Sequence, residues 1–219
     1  MEKFKIAVVI PAYNEAKTIK SLILSLIKFA DPIIVNDGSQ DETIKILDNL
    51  KVKYLSNQKN KGYEKTIIKG LKYAKKKNYK FIITFDADGQ HKISDLKKII
   101  KILNTDKYYC VYGVRKKLQR FSEYIFSLVS KVLYGLEDPL SGLKGYNSKA
   151  LKFSKKLENS ICTELLFDIK KRNLNIKQIK IKTNSRGGDS RFGGFLFANF
   201  KIINSVFKII KNYIFFKLI

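Results

Sequence analysis

The sequence predicts an α/β fold: an open, mostly parallel, twisted sheet with helices on both faces. Short apolar runs, such as residues 6–10 and 33–35, have the hydrophobic character of parallel strands that are covered on both sides. Segments with apolar residues at helical spacing separate these runs, and the alternation continues to about residue 103. Alternating strands and helices are typical of a doubly wound sheet with right-handed crossovers.

The first half of the chain supplies four of the expected strands. Pro11 ends the first strand, and a helix with one apolar face follows. Pro32 introduces the second strand. Asp41 and Ser94 are expected to cap the helices that follow them, because their side-chain oxygens can accept hydrogen bonds from first-turn N–H groups. The strands are expected at residues 6–10, 33–35, 53–55 and 81–85, and the helices at about 16–29, 42–50, 62–78 and 94–103.

The second half of the chain supplies the remaining elements. Strands are expected at residues 108–113, 143–147 and 176–181, and the last of these alternates apolar and polar residues, as edge strands do. Helices are expected at about 121–136, 163–173 and 195–219. The first and the last of these helices combine aromatic and aliphatic residues with Lys, a pattern typical of helices in a membrane interface. We therefore expect one domain over residues 1–194 and a C-terminal amphipathic helix over residues 195–219.

The charge of the chain points to an anionic partner. There are 44 Lys and Arg against 19 Asp and Glu, which gives a formal net charge of +25. Nucleic acid, a phosphorylated ligand and an anionic membrane are the candidates, although many scattered Lys residues simply solvate the surface. No run of 18 apolar residues predicts a membrane span, and the N-terminus leads directly into a strand, so no signal peptide is expected. Cys110 and Cys162 lie among apolar residues and are predicted to be buried thiols in a reducing compartment.

Two carboxylates follow the fourth strand. Asp86 and Asp88 stand one residue apart, and two carboxylates so close repel each other unless a cation lies between them. A hard divalent cation with oxygen ligands satisfies the pair, and Gln90 offers a third oxygen. Asp and Gly at a strand end are also ordinary turn residues, which is the alternative. Tyr13 and Asp37 follow the first and second strands, and the carboxyl ends of parallel strands meet at one edge, where ligands bind.

Three stretches occur together in the order and at about the spacing of one enzyme family. They are VIPAYNE (residues 9–15), VNDGSQDET (residues 35–43) and DADGQH (residues 86–91). The chain resembles the family 2 glycosyltransferases, which have the GT-A fold, and most of all the dolichyl-phosphate mannose synthases and polyprenyl-phosphate glucosyltransferases. The resemblance covers about residues 5–192 and implies that residues 1–194 are a GT-A catalytic domain. The implied reaction is metal-dependent, inverting transfer of a hexose from a nucleotide-diphosphate sugar, of the GDP-mannose or UDP-glucose type, to a polyprenyl or dolichyl phosphate.

The resemblance also implies roles for individual residues. Residues 138–142 resemble the family's Asp-x-x-Ser-Gly turn on the acceptor side, and residues 186–191 resemble its basic loop. Tyr63 stands where the family carries Lys, and the basic loop is one residue short, with Arg191 in place of Lys. The implied site residues are Asp86, Asp88 and Gln90 for Mg²⁺ or Mn²⁺; Pro11, Tyr13, Glu15, Val35, Asp37, Asp86, Ala87, Asp88 and Arg115 for the donor substrate; and Asp88, Arg115, Arg186 and Arg191 for catalysis.

The acceptor decides which further residues the chemistry needs. A phosphate monoester is ionised at neutral pH and can attack the sugar without a general base. A sugar hydroxyl acceptor would need a base, for which Glu164 and Asp168 are the candidates. A third alternative, a non-enzymatic nucleic-acid binder, follows from the charge alone, but the aromatic residues lie in apolar segments instead of alternating with Arg on a sheet face, so no nucleic-acid partner is expected. We expect a cytoplasmic protein, peripheral on the inner face of an anionic membrane, and the oligomeric state stays open.

Overall fold

The computed structural model of the protein describes residues 5–152, 161–184 and 195–218. The described strands are β1 (Ile6–Ala12), β2 (Asp31–Asn36), β3 (Tyr54–Ser56), β4 (Phe81–Thr84), β5 (Cys110–Arg115), β6 (Lys144–Asn147) and β7 (Ile176–Ile181). The described helices are α1 (Ile19–Leu26), α2 (Thr43–Asn49), α3 (Tyr63–Lys76), α4 (Ile93–Leu103), α5 (Phe121–Tyr134), α6 (Ile161–Lys171) and α7 (Phe195–Leu218), with a short 3₁₀ helix at Ser148–Lys152.

All of these strands belong to one open sheet, with the order β3-β2-β1-β4-β6-β5-β7. β6 runs antiparallel to both β4 and β5, and the other neighbouring pairs are parallel. The predicted mostly parallel sheet is therefore confirmed, and β7 lies at an edge as predicted. β6 separates β4 from β5, so the sheet has one half built from the first strands of the chain and another built from the last.

Helices cover both faces of the sheet, as the sequence predicts. On one face, α1, α2 and α4 bury residues such as Ile23, Leu47 and Ile99 against β1 and β4. On the other face, α3, α5, α6 and α7 form a second apolar cluster. α7 contributes Val206 and Ile209 to this cluster and packs along α5. The predicted boundary between residues 1–194 and 195–219 stays a prediction.

Neither predicted helix cap stands at the N-cap position. The N-cap of α2 is Glu42, one residue after Asp41, although Asp41 Oδ1 does accept a hydrogen bond from the backbone N–H of Thr43 at 2.9 Å. The predicted cap by Ser94 is wrong, because α4 begins one residue earlier, at Ile93, and Ser94 lies inside its first turn. Cys110 is buried in β5 as predicted, whereas the side chain of Cys162 lies outside the described residues.

Most of the exposed large apolar side chains among the described residues lie on α5 and α7. Large apolar residues of α5 and α7 are between half and three-quarters exposed. Across residues 5–152, 161–184 and 195–218, no helix combines the length and the apolar character that crossing a membrane requires. The exposed residues are Phe121, Tyr124, Leu128 and Val132 on α5, and Phe200, Phe207, Ile214 and Phe215 on α7.

Candidate active site

The loops after β1 and β2 are bonded to each other at the carboxyl edge of the sheet. Backbone N–H groups of each loop donate to side-chain oxygens of the other. Such cross-links hold the two loops in one arrangement before any ligand arrives. The bonds are Asn14 N to Ser39 Oγ (3.0 Å), Gln40 N to Asn14 Oδ1 (2.8 Å), Glu15 N to Thr43 Oγ1 (2.8 Å) and Ala16 N to Asp41 Oδ2 (3.1 Å).

A cavity of about 380 Å³ opens at the ends of β1, β2 and β3. Tyr13 lines it, as the sequence predicts, together with a group of amide and hydroxyl side chains. Pro11, Glu15 and Val35 are buried, and their predicted contacts with a nucleotide stay predictions. The lining residues are Tyr13, Asn36, Gly38, Ser39, Gln40, Ile44, Ser56, Asn57, Gln58, Lys59 and Asn60.

Asp37 holds one wall of this cavity. The carboxylate is only 4% exposed, and Oδ1 accepts hydrogen bonds from Asn57 Nδ2 at 2.8 Å and from Lys61 N at 2.9 Å. Oδ2 accepts one from Gly62 N at 2.9 Å. The predicted contact of Asp37 with the base or ribose stays a prediction. The described hydrogen bonds show that Asp37 also fixes the segment of residues 57–62.

Asp86 lies in a crowded site beyond the end of β4. Tyr63 donates a hydrogen bond to Oδ1 at 2.8 Å, and His91 Nε2 lies 3.5 Å from Oδ2. Burial by itself would raise the pKa of the Asp86 carboxyl, but the hydrogen bonds from His91 and Tyr63, with the positive charge of Lys144, outweigh it and hold the pKa below its ordinary value. Asp86 is therefore an ionised, oriented carboxylate at neutral pH.

The turn of residues 138–142 closes against this carboxylate. Thr84 Oγ1 donates to the Gly142 carbonyl at 2.7 Å, and Lys144 Nζ donates to the Ser141 carbonyl. A Cβ atom at residue 142 would lie only 2.0 Å from Asp86 Oδ2. The structure thus explains why glycine stands at this position: the backbone approaches the carboxylate too closely for any side chain.

Asp88 and Gln90 complete the predicted cation site. Asp88 Oδ1 accepts a hydrogen bond from the backbone N–H of Gln90 at 3.1 Å, and Ala87 between the two acids is fully buried. Among the described residues, Nε2 of Gln90 is buried and has no hydrogen-bond partner. The described part of the chain contains no group of three or more His, Cys, Asp or Glu side chains placed to hold a metal. The donor set is instead two carboxylates and the side-chain oxygen of Gln90, and oxygen ligands of this kind suit Mg²⁺ or Mn²⁺. The unpartnered Nε2 is a hydrogen-bond donor and is not a ligand for a cation.

The segment after β7 is tied to the same loop. Asn184 N donates to the Gln90 carbonyl at 2.9 Å, and Asn184 Nδ2 donates to the Gly89 carbonyl at 3.3 Å. Asn184 is the last described residue before position 195. Arg186 and Arg191 lie outside the described residues, but the chain that leads to them is bonded to the loop of Asp86 and Asp88.

Arg115 is the last residue of β5, and two carboxylates hold it. Its Nε and Nη2 donate to the two oxygens of Asp138 at 2.9 and 2.8 Å, and Nη2 lies 3.1 Å from Glu123 Oε2. Burial would lower the pKa of Arg115, but Asp138, Glu123 and the more distant Asp86 raise it. The guanidinium is therefore a fixed positive charge within electrostatic reach of Asp86, and its predicted contact with phosphate stays a prediction.

The two candidate bases lie on α6. Thr163 Oγ1 donates to the Pro139 carbonyl at 3.4 Å, so Glu164 follows a residue that contacts the turn of residues 138–142. Asp168 lies one helical turn further along, and its burial raises the pKa of the carboxyl, with a further contribution from Glu164. No described contact links either acid to Asp86.

Several contacts of the site involve residues to which the sequence motifs assign no role. Lys144 is 2% exposed and lies beside Asp86, while Tyr63 and Asn184 bond to the loop of residues 86–90. One signal was available for Lys144: it is a lone charge between apolar residues, two positions after Gly142. Tyr63 and Asn184 carry no comparable local signal, because their partners are distant in sequence.

Comparison with known proteins shows which family has this arrangement of strands, loops and carboxylates. The profile of the family described as "Glycosyl transferase family 2" matches residues 7–164. The chain belongs to glycosyl transferase family 2. It is a glycosyltransferase with a GT-A fold, and this assignment favours the enzyme over the non-enzymatic nucleic-acid binder. The resemblance of the three N-terminal motifs is thereby confirmed.

Relatives of known name support the same assignment. The chain is 34% identical over 215 residues to a UDP-N-acetylglucosamine–dolichyl-phosphate N-acetylglucosaminyltransferase of Methanococcus voltae, covering 81% of this chain and 85% of the relative. It is 26% identical to a dolichyl-phosphate β-glucosyltransferase of Trichomonas vaginalis, over 82% of this chain and 64% of the relative. Among solved structures, the chain is similar to glucosyl-3-phosphoglycerate synthase of Mycobacterium tuberculosis in complex with Mn²⁺ and UDP, with a TM-score of 0.74 and 17% sequence identity. The match covers 94% of this chain and 78% of that one. At this identity, the likeness shows the fold alone.

Proposed function

We propose that this glycosyltransferase moves a hexose or related sugar from a nucleotide-diphosphate sugar to a polyprenyl or dolichyl phosphate, with inversion at the sugar. The named relatives that act on dolichyl phosphate support this acceptor, and the name of the Methanococcus relative makes a UDP-sugar the first donor to test, ahead of GDP-mannose. The observation that carries the proposal is the bonding of Asn184 to the loop of Asp86 and Asp88. It ties residue 184, two positions before Arg186, to the loop that is proposed to hold the donor's diphosphate.

The proposed reaction forms one bond and breaks one bond at the anomeric carbon of the sugar. An oxygen of the lipid phosphate forms a bond to the anomeric carbon from one face, and the bond from that carbon to the β-phosphate oxygen breaks on the other. The nucleoside diphosphate leaves with the bonding electrons. No proton has to be removed from the acceptor, because a phosphate monoester is ionised at neutral pH. In line with this, His91, the only histidine of the chain, has its Nε2 atom 3.5 Å from Asp86 Oδ2, on the side proposed to hold the donor.

Different side chains of the protein have different roles in the proposed reaction. Asp86, Asp88 and Gln90 would hold Mg²⁺ or Mn²⁺, which when bound supplies positive charge to the departing diphosphate. Arg115 adds a fixed positive charge near Asp86. Arg186 and Arg191 are proposed to place the acceptor phosphate. The cavity lined by Tyr13 would receive the base and ribose.

The exposed apolar residues of α5 and α7 are proposed to bring the enzyme to its lipid. Phe121 and Val132 on α5 and Phe207 on α7 are each at least two-thirds exposed. α7 also carries exposed Lys side chains, including Lys201 and Lys208, which an anionic lipid surface attracts at about 1 kcal/mol each. We propose a peripheral position on the cytoplasmic face of the membrane, with α7 lying in the interface.

A transfer assay tests the function directly. The purified protein is incubated with labelled UDP-sugars and GDP-mannose, with polyprenyl phosphate in detergent, and with Mn²⁺, Mg²⁺ or chelator, and the lipid phase is analysed for sugar. We expect a lipid-linked product with at least one donor and only with a divalent cation. Asp88→Ala should abolish it, whereas the matched variant Asp48→Ala, on α2, should not. If the protein binds nucleotide but forms no lipid-linked product with any donor, the acceptor is wrong.

A further inference from the structure

Tyr63 connects the wall of the nucleotide cavity to the carboxylate of Asp86. It is the first residue of α3, and its hydroxyl donates to Asp86 Oδ1 at 2.8 Å. The resemblance to the family places a Lys at this position, so a neutral side chain stands where the family carries a charged one. A neutral donor orients the carboxylate without adding to the positive charge that Lys144 already places near it.

The position of Tyr63 depends on the residue before it. Gly62 has φ = 87°, a left-handed conformation that glycine adopts without strain. Its N–H donates to Asp37 Oδ2 and to Asn60 Oδ1, both at 2.9 Å, and its carbonyl accepts from Thr66 Oγ1 at 2.9 Å. The start of α3 is thus held by Asp37, which also fixes the segment of residues 57–62. Asn57 and Asn60 of that segment line the nucleotide cavity.

The other contacts of Asp86 do not fix its orientation alone. His91 Nε2 lies 3.5 Å from Oδ2, a long contact, and Lys144 acts through its charge. The backbone of Gly142 closes against Oδ2 and blocks movement on that side. The hydrogen bond from Tyr63 is the short, directional contact that the described residues make to Oδ1.

We propose that Tyr63 is a positioning residue for divalent-cation binding: its hydroxyl orients the Asp86 carboxylate toward the cation and links that orientation to the wall of the nucleotide cavity. The inference rests on the proposed function, in which Asp86 and Asp88 hold the cation. Hydrogen-bond partners of metal ligands contribute about 10- to 100-fold to metal affinity. Removal of one oxygen atom from Tyr63 should therefore weaken cation binding without removing a ligand.

The test is a titration of the full chain with Mn²⁺, followed by electron paramagnetic resonance of the unbound ion, with and without UDP. Tyr63→Phe should weaken Mn²⁺ binding by about 10- to 100-fold. Tyr73→Phe is the matched control, since it makes the same substitution on the same helix, and it should bind Mn²⁺ as the wild type does. The thermal midpoint of each protein without metal serves as the measure of a purely structural effect.

The outcomes separate this inference from the proposed cation site. If Tyr63→Phe binds Mn²⁺ as tightly as the wild type while Asp88→Ala does not, the role of Tyr63 is refuted and the cation site stands. If Asp88→Ala binds Mn²⁺ unchanged, the cation site itself is wrong, and the role of Tyr63 with it. A loss of affinity in Tyr63→Phe that is matched by Tyr73→Phe, with equal drops in thermal midpoint, would show a structural role and overturn the proposal.

Discussion

The close approach of Gly142 to Asp86 gives a quantitative prediction for Gly142→Ala. The new Cβ would lie 2.0 Å from Asp86 Oδ2 and 2.8 Å from Cγ. An unstrained contact needs roughly 3.5 Å, so one partner has to move by roughly 1.5 Å. The turn is held by the hydrogen bond from Thr84 Oγ1 to the Gly142 carbonyl, at 2.7 Å. The carboxylate is therefore expected to be the group that moves.

Gly142→Ala is expected to affect both function and stability, by similar free energies. Displacement of a reacting group by about 1 Å costs about 10²-fold in rate, which corresponds to about 2.7 kcal/mol. Insertion of a methyl group into a packed site destabilises a protein by about 1–3 kcal/mol. We expect Gly142→Ala to remain folded, to bind Mn²⁺ more weakly and to lose at least 10²-fold in kcat/KM for sugar transfer.

Urea unfolding, Mn²⁺ titration and the transfer assay together check this prediction. Gly135→Ala is the control, because residue 135 has φ = 69° and a Cβ there would meet nothing within 4 Å. That variant should lose about 1–2 kcal/mol of unfolding free energy from the left-handed backbone and keep its activity. A folded Gly142→Ala enzyme with wild-type Mn²⁺ affinity and transfer rate would refute the reasoning.

Three further predictions concern charge and surface. Asp138→Asn leaves the buried Arg115 with Glu123 as its carboxylate partner and should cost about 1.5–3 kcal/mol in urea unfolding; an unchanged midpoint would mean that the remaining partner suffices. Asp168→Asn should stabilise the protein at pH 7 by about 1 kcal/mol or less, because burial raises the pKa of this carboxyl and disfavours its ionised form. The gain should vanish below the ordinary pKa of 3.8, and loss of transfer in this variant, with donor hydrolysis retained, would favour a hydroxyl acceptor. Phe207→Glu should weaken sedimentation with anionic vesicles by about tenfold or more, since an inserted Phe contributes about 1.5–3 kcal/mol; Leu24→Glu, on α1, should have no effect, and equal losses would contradict docking through α7.

Local pattern was sufficient to predict the strands and the edge at which the site lies. The apolar run of β4 identifies a covered strand, and Asp86 and Asp88 follow it directly, so their place at the carboxyl edge could be derived from the sequence. The cap by Ser94 could not be predicted reliably, because propensity does not decide whether a helix begins at residue 93 or 95.

Contacts between distant segments of the chain could not be predicted from the sequence. The pairing of β6 between β4 and β5 carries Lys144 and Gly142 to Asp86, and no local pattern specifies which strands pair. Tyr63 appears in the sequence only as a departure from a family pattern. Its contact with Asp86 depends on the length of α3 and on the conformation of Gly62, which are properties of the assembled fold.

The place of β6 in the sheet also sets an order of assembly. β3, β2, β1 and β4 can pair with one another as soon as residue 84 has been synthesised, but β5 must wait, because both of its neighbours, β6 and β7, come later in the chain. Until residues 144–147 are made, one edge of β4 is an open template for unwanted strand pairing. The nucleotide cavity lies in the half that can form first, and the turn of residues 138–142 arrives with the half that forms last. During synthesis, the cavity that is proposed to receive the donor is therefore formed before the turn that the resemblance assigns to the acceptor side.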